Sequence, residues 1–256
     1  MLTPTGRSSL SCVSCHNRTC RRVEHASAAR GKLRFMSLSG QSVLLAGASG
    51  GLGSALAAEF QRRGATVTSV ARNQERLAAL GGHSVALDLR TPDACQLAVA
   101  AAVDHAGKLD IVVNAVGVVA FGSVADLSSD AMEELFLTNT FIPIMLATAA
   151  LPHVQQGGAI VNISGVIAEQ NLPGMAAYGA SKAAVKSFDE ALAREARRLK
   201  IRVIDARPPH TETGLADRPI EGTSPKMPEG LAPAHVASVI CDALESGAKD
   251  LPSSAF

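Results

Sequence analysis

Six short apolar runs, at residues 43–46, 66–70, 85–87, 111–114, 160–163 and 203–206, punctuate this 256-residue chain, with longer amphipathic stretches between them. Runs of that length without polar alternation are strands buried on both faces. The stretches between them carry helical spacing and helical stops. Leu52, Leu56, Phe60 and Arg63 mark one face of the first, and Gly64 ends it. Thr91-Pro92-Asp93 opens another, with a hydroxyl cap, a proline at the first position and an acid at the positive end of the helix dipole. Further helices are predicted over residues 128–151, 175–199 and 233–245. Strands that alternate with helices pair in parallel, and the crossover helices cover both sheet faces. The prediction is a doubly wound, three-layer α/β/α fold, in which ligands bind beyond the carboxyl ends of the strands.

Composition excludes several classes of function. Apolar residues make up 47% of the chain, enough for one large core and too many for a disordered protein. A formal charge of +1, with seven Phe, one Tyr and no Trp, offers neither a basic face nor a stacking platform for bases, so no nucleic-acid partner is expected. No apolar run reaches the roughly 18 residues of a membrane-spanning helix, so no membrane partner is expected and the protein is placed in the cytoplasm. Cys95 and Cys241 read as buried thiols, which suits a reducing compartment.

Charge divides the chain. Residues 1–35 hold seven Lys/Arg against the single acid Glu24, while the remainder is net acidic. This segment is read as a basic, disordered extension, followed by one domain over residues 36–256. Cys12-Val-Ser-Cys15-His16 spells a C-x-x-C-H pattern, and Cys20 and His25 are further potential ligands. No apolar signal region precedes the motif, as haem attachment outside the cytoplasm would need, and a second closely spaced pair for zinc is missing. Its Arg/Ser-rich character also suits a transit peptide. A plain extension is preferred, and no metal site is assigned.

The first strand runs into Gly47-Ala-Ser49-Gly50-Gly51-Leu52-Gly53, which opens the first helix. Glycines there permit a tight turn and let a pyrophosphate approach the backbone, while the helix N-terminus presents unpaired N–H groups. This is the signature of a Rossmann-like dinucleotide site. The end of the second strand selects the dinucleotide, since an acid there would bind the ribose 2′-OH of NAD. The sequence has Ala71-Arg72-Asn73 instead. Arg72 suits a 2′-phosphate, with Ser49 or Asn73 adding a hydrogen bond, so NADP(H) is preferred over NAD(H). A solvated loop arginine is the alternative.

Tyr178, the only tyrosine, precedes Lys182 by four residues on a predicted helix, which places both on one face. A nearby ammonium stabilises phenolate, and the pair is expected to bring the phenol towards neutrality for acid/base work.

With these residues in place, the sequence resembles the short-chain dehydrogenase/reductase family over about residues 42–213. The family's T-G-x-x-x-G-x-G appears as Ala46-Gly47-Ala-Ser-Gly-Gly51-Leu-Gly53, and its adenine-pocket pair as Asp88-Leu89. Its N-N-A-G appears as Asn114-Ala115-Val116-Gly117, its helical asparagine as Asn139, and its Y-x-x-x-K as Tyr178 and Lys182. Its P-G-x-x-x-T appears as Pro208-Pro209-His-Thr-Glu-Thr213. The resemblance implies an NAD(P)-dependent oxidoreductase acting on a small carbonyl compound or secondary alcohol. In that role Tyr178 donates the proton, Lys182 lowers its pKa and holds the nicotinamide ribose, Asn139 keeps a water in a proton relay, and Thr213 orients the carboxamide.

The family serine falls thirteen residues before the tyrosine, where this chain has Gly165; the neighbouring hydroxyl is Ser164. A one-residue offset in an extended strand turns a side chain to the other face. Either a bulge lets Ser164 reach the substrate oxygen, the preferred alternative, or Tyr178 works alone or with help from the substrate loop, for instance His210. Residues 210–231, with three prolines, suit a binding loop or lid. Val166, Leu172, Met175, Leu215 and Met227 suggest an apolar pocket. Residues 249–256 lack the family's glycine-rich final strand, and small apolar residues at 141–150 and 183–192 suit a dimer. A catalytically silent cofactor-binding regulator is the competing function.

Overall fold

The computed structural model describes residues 36–256. The expectations for residues 1–35, including the Cys12–His16 motif, lie outside the described residues. Six parallel strands form one sheet: β1 Ser42–Ala46, β2 Thr66–Ala71, β3 His83–Ala86, β4 Leu109–Asn114, β5 Val154–Ile163 and β6 Arg202–Ala206. Their spatial order is β3-β2-β1-β4-β5-β6, so the chain reverses direction of travel between β1 and β4. That reversal opens the crevice in which doubly wound folds bind ligands.

Alternate residues of β1 show why its run is continuously apolar. Val43 and Leu45 join one core layer while Leu44 and Ala46 join the other, and all four are fully buried. Helices α1 (Gly51–Arg62), α2 (Gln74–Ala78) and α7 (Pro233–Ser246) supply the first layer, through Leu56, Phe60, Leu77 and Ile240 among others. Helices α3 (Pro92–Ala106), α5 (Ile142–Ala150) and α6 (Ala176–Ala196) supply the second, through Ala98, Leu146 and Leu192 among others. Cys95 and Cys241 are both buried and free, and burial pushes their thiols up to about 11 and about 12.

Local signals set most boundaries. Thr91 caps α3 by accepting from the Ala94 N–H at 3.2 Å, with Pro92 at the first position. Gly64, at φ +81°, turns the chain out of α1 in the left-handed region. Short α2 is an addition to the prediction, capped by Asn73 Oδ1, which accepts from Arg76 N–H at 2.8 Å.

The predicted helix over 128–151 is interrupted. It runs as α4 (Ser129–Phe136), passes through a π-helical turn at Leu137–Phe141, and resumes as α5. Pro143, in the first turn of α5, has no N–H to give a continuous α-helix. Such turns widen a helix locally and frequently mark functional sites; Asn139 lies in this one. The predicted lack of a seventh strand also needs refinement. Leu251 makes a single parallel bridge with Ala206, accepting from Arg207 N–H at 2.9 Å, so the C-terminal segment runs beside β6 without becoming a strand.

Candidate active site

A cavity of about 450 Å³ lies beyond the carboxyl ends of the strands, within the ~300–1,000 Å³ usual for small-molecule sites. It receives the glycine turn from β1, the end of β2, the segment at residues 115–119 after β4, the end of β5, one face of α6 and the loop after β6.

The glycine turn is built by close approach. A Cβ on Gly53 would lie 2.1 Å from the Gly47 carbonyl oxygen, and one on Gly51 would lie 2.5 Å from the Thr213 oxygen. Neither position admits a side chain without moving backbone. The turn and the loop after β6 thus pack against one another, with Gly47, Ser49, Gly50 and Leu52 lining the cavity.

At the far end, Arg72, Asn73, Arg76, Asp88, Leu89 and Arg90 line the same cavity. Arg90 grips Asp88 through Nε at 2.9 Å and a second nitrogen at 2.5 Å. Those bonds, helped by the nearby Arg72 charge, hold the Asp88 carboxyl below the usual range. Asn73 keeps its side-chain oxygen on the cap of α2. Arg76 and Arg90 were absent from the sequence prediction; Arg90, two residues beyond the Asp88-Leu89 pair, was the signal available.

Asn139 and Lys182 meet at Gly117, and Tyr178 and Lys182 both line the cavity. A methyl group built on Gly117 would lie 3.4 Å from both Asn139 Oδ1 and Lys182 Nζ, so a glycine there lets the two polar groups meet beneath the chain. Asn139 is fully buried. Its Oδ1 accepts from Val118 N–H at 2.9 Å, and its Nδ2 donates to Val118 O at 2.9 Å and to Ser181 Oγ at 3.0 Å. Ser181, unremarked in the sequence, donates in turn to Tyr178 O at 2.7 Å. The Asn139 amide is therefore a brace joining the segment after β4 to α6. Its two amide donors are both occupied, while its oxygen accepts one bond and retains a second lone pair.

Lys182 Nζ donates to Ile163 O at 2.8 Å. Burial pulls its ammonium down to about 8, partly offset by the Asp205 carboxylate. Tyr178 moves the other way from expectation. Burial pushes its phenol up to about 12 rather than towards neutrality, because leaving water disfavours the phenolate. At neutral pH the pair is a phenol beside an ammonium, which is the form needed to give a proton to a carbonyl oxygen.

The buried Lys182 has a measurable consequence. Its folded pKa lies below the ordinary 10.5, so the unfolded chain binds the proton more tightly between pH 8 and 10.5. Stability is reduced in full below pH 8 and recovers as pH rises through that window. Lys182→Met should therefore raise the unfolding free energy at pH 7 by roughly 1–3 kcal/mol, with the gain shrinking towards pH 10. Urea unfolding at the two pH values checks this, and a variant less stable at pH 7 would refute it.

Ser164 borders the cavity at the end of β5, with its hydroxyl committed to the neighbouring strand. It is buried, and its hydroxyl donates to Asp205 Oδ1 on the neighbouring strand. Asn162 and Asp205 are register partners, and Ser164, two residues on from Asn162, shares their sheet face. Arg207 holds the other Asp205 oxygen at 2.6 Å and bonds Asp250 at 2.7 Å, which ties the C-terminal segment to β6. Gly165 has φ +84° and ψ 165°, a region essentially confined to glycine. A serine there would be strained, and the space beside it is open apart from Pro208 O, 3.7 Å from where a Cβ would stand.

Residues 41–222 match the family model for short chain dehydrogenases. The chain belongs to this family, a class of NAD(P)-dependent dehydrogenases and reductases. It is 32% identical over 171 residues to a hydroxynaphthalene reductase of Aspergillus fumigatus, an alignment spanning 63% of this chain and 63% of that enzyme. It is 32% identical over 189 residues to a versicolorin reductase of Emericella nidulans, covering 70% and 72% of the two chains. Among solved structures, a short chain dehydrogenase from Burkholderia cenocepacia in complex with NADP superposes with a TM-score of 0.76 at 25% identity, covering 86% of this chain and 99% of that one.

Proposed function

We propose that this chain is an NADP(H)-dependent reductase of apolar carbonyl compounds, with Tyr178 as proton donor. The observation that carries this reading is that Tyr178 and Lys182 line a cavity that also receives the glycine turn, with the buried Asn139 meeting Lys182 at Gly117. The residues present fit a dinucleotide. Gly47, Gly50 and Gly51 leave the backbone bare where a pyrophosphate would lie at the N-terminus of α1; Gly117, Pro208 and Thr213 line the part of the cavity left for the nicotinamide, and Asn114 ends β4 just before that segment. When bound, the nicotinamide supplies hydride to the carbonyl carbon. Tyr178 gives its proton to the oxygen, and the Lys182 ammonium stabilises the phenolate left behind. Val166, Leu172, Met175, Leu215 and Met227 offer the substrate an apolar wall. The relatives named above are a hydroxynaphthalene reductase and a versicolorin reductase, which supports an apolar ketone such as 2-tetralone as a first probe.

The preference for NADP(H) rests on the exposed Arg72 just after β2, where no acid stands to bind a 2′-hydroxyl, and on the exposed Arg76 in α2. Arg72→Ala should weaken NADPH binding about 10–100-fold, the worth of a charge-assisted hydrogen bond, and leave NADH binding unchanged. Fluorescence titration with each cofactor checks this; equal losses would make Arg72 a general electrostatic contributor. Phe141, 53% exposed at the head of α5, supports pairing of two subunits through this face, which light scattering tests. NADPH binding without turnover of any carbonyl would favour a non-catalytic role instead.

A further inference from the structure

We propose that His210 supplies the hydrogen bond to the substrate oxygen that the missing serine would have made. This rests on the carbonyl-reducing function proposed above. Gly165 leaves open space where the family places its hydroxyl, and the chain segment bordering that space is the one leading into His210. Val166 N–H donates to Pro208 O at 2.9 Å, which sets Pro208-Pro209-His210 alongside Gly165-Val166. His210, Gly165 and Tyr178 all line the one cavity.

The imidazole is held in a defined orientation. Its Nε2 lies 3.3 Å from Glu212 Oε1. Glu212 Oε1 in turn accepts from Gly230 N–H at 2.7 Å, which anchors the carboxylate. A Cβ on Gly230 would stand 2.7 Å from His210 Cδ2, so this glycine lets the ring edge settle against backbone. Leu231 N–H donates to His210 O at 2.8 Å and Glu212 N–H to Leu231 O at 2.9 Å, closing a small bridge that pins the loop. With Nε2 turned to Glu212 and Cδ2 to Gly230, the edge carrying Nδ1 is the one left for the cavity.

In the ring protonated on both nitrogens, Nε2–H serves Glu212 and Nδ1–H is a second donor. Nδ1–H then points a hydrogen bond at the oxygen where negative charge develops. His210 keeps its proton throughout; the proton that ends on the product oxygen comes from Tyr178. Glu212 acts through His210 and is a positioning residue.

The test compares three variants with wild type in NADPH-dependent reduction of 2-tetralone, acetophenone and octanal, together with NADPH binding. His210→Ala should lower kcat about 10²-fold, the usual loss for one oxyanion donor, with NADPH affinity unchanged. His210→Asn places an amide N–H where Nδ1 stood and should recover much of that loss, whereas His210→Gln, which replaces Nε2, should not. Unchanged kcat in His210→Ala, a change in ketone KM alone, or equal behaviour of the Asn and Gln variants would overturn the proposal. Wild-type protein that binds NADPH but reduces none of the three carbonyls would overturn the proposed function itself, a result distinct from any of these.

Discussion

Tyr178→Phe should lower kcat/KM for carbonyl reduction by about 10³-fold or more, some 4 kcal/mol of barrier, while NADPH still binds. The substitution removes the one acidic proton placed in the cavity beside the Lys182 ammonium. Among the described residues no side chain hydrogen-bonds the Tyr178 hydroxyl, so a phenyl ring should leave stability equal or slightly higher. That combination separates loss of chemistry from loss of structure. The wild-type pH profile adds a second check. With the phenol pushed up to about 12, Tyr178 remains protonated across the neutral range, so it sets no limb there. Lys182, pulled down to about 8, should set one: reduction slows above that pH as the ammonium that steadies the phenolate is lost. Full turnover in Tyr178→Phe would assign the proton to another group and remove the proposed mechanism.

Gly53→Ala should cost 3 kcal/mol or more, roughly a 6–12 °C fall in Tm for a domain of this size. The new methyl would stand 2.1 Å from the Gly47 carbonyl oxygen, and both partners are backbone of one tight strand-to-helix turn. Relief requires α1 to move away from β1, against the burial of Leu56, Ala57 and Phe60. Gly50→Ala is the matched comparison. Its Cβ would meet only the Gly47 carbonyl oxygen, at 3.3 Å, and Gly50 has φ −76°, so a methyl there asks for a shift of a few tenths of an ångström. Thermal unfolding of the two variants side by side tests the steric account; similar midpoints would show that the turn yields.

Much of this molecule is legible in local pattern. A strand buried on both faces must be apolar at every position, so β1 and β4 announce themselves whatever surrounds them. Caps such as Thr91 act within one helical turn, and the glycine turn is a matter of sterics between residues six apart. Tyr178 and Lys182 share a helix face by periodicity alone. The errors have a common origin in contacts between distant segments. Ser164 looked available until strand register set its hydroxyl on Asp205, 41 residues away. Asn139 is legible only as a motif position; its bonds to Val118 and Ser181, 21 and 42 residues away, come from packing. Tyr178 was expected near neutrality because spacing shows a neighbouring charge but not the burial that outweighs it.

The amino-acid sequence by itself determined the sheet, its helical cover, the glycine turn and the family, because periodicity, capping and steric exclusion act over a few residues. The tertiary structure alone decided which polar groups face the cavity with donors to spare. A side chain's partner depends on register and packing between strands and loops far apart in the chain. Gly230 shows this most directly: its meaning lies in the imidazole of His210, twenty residues earlier, whose edge it accommodates.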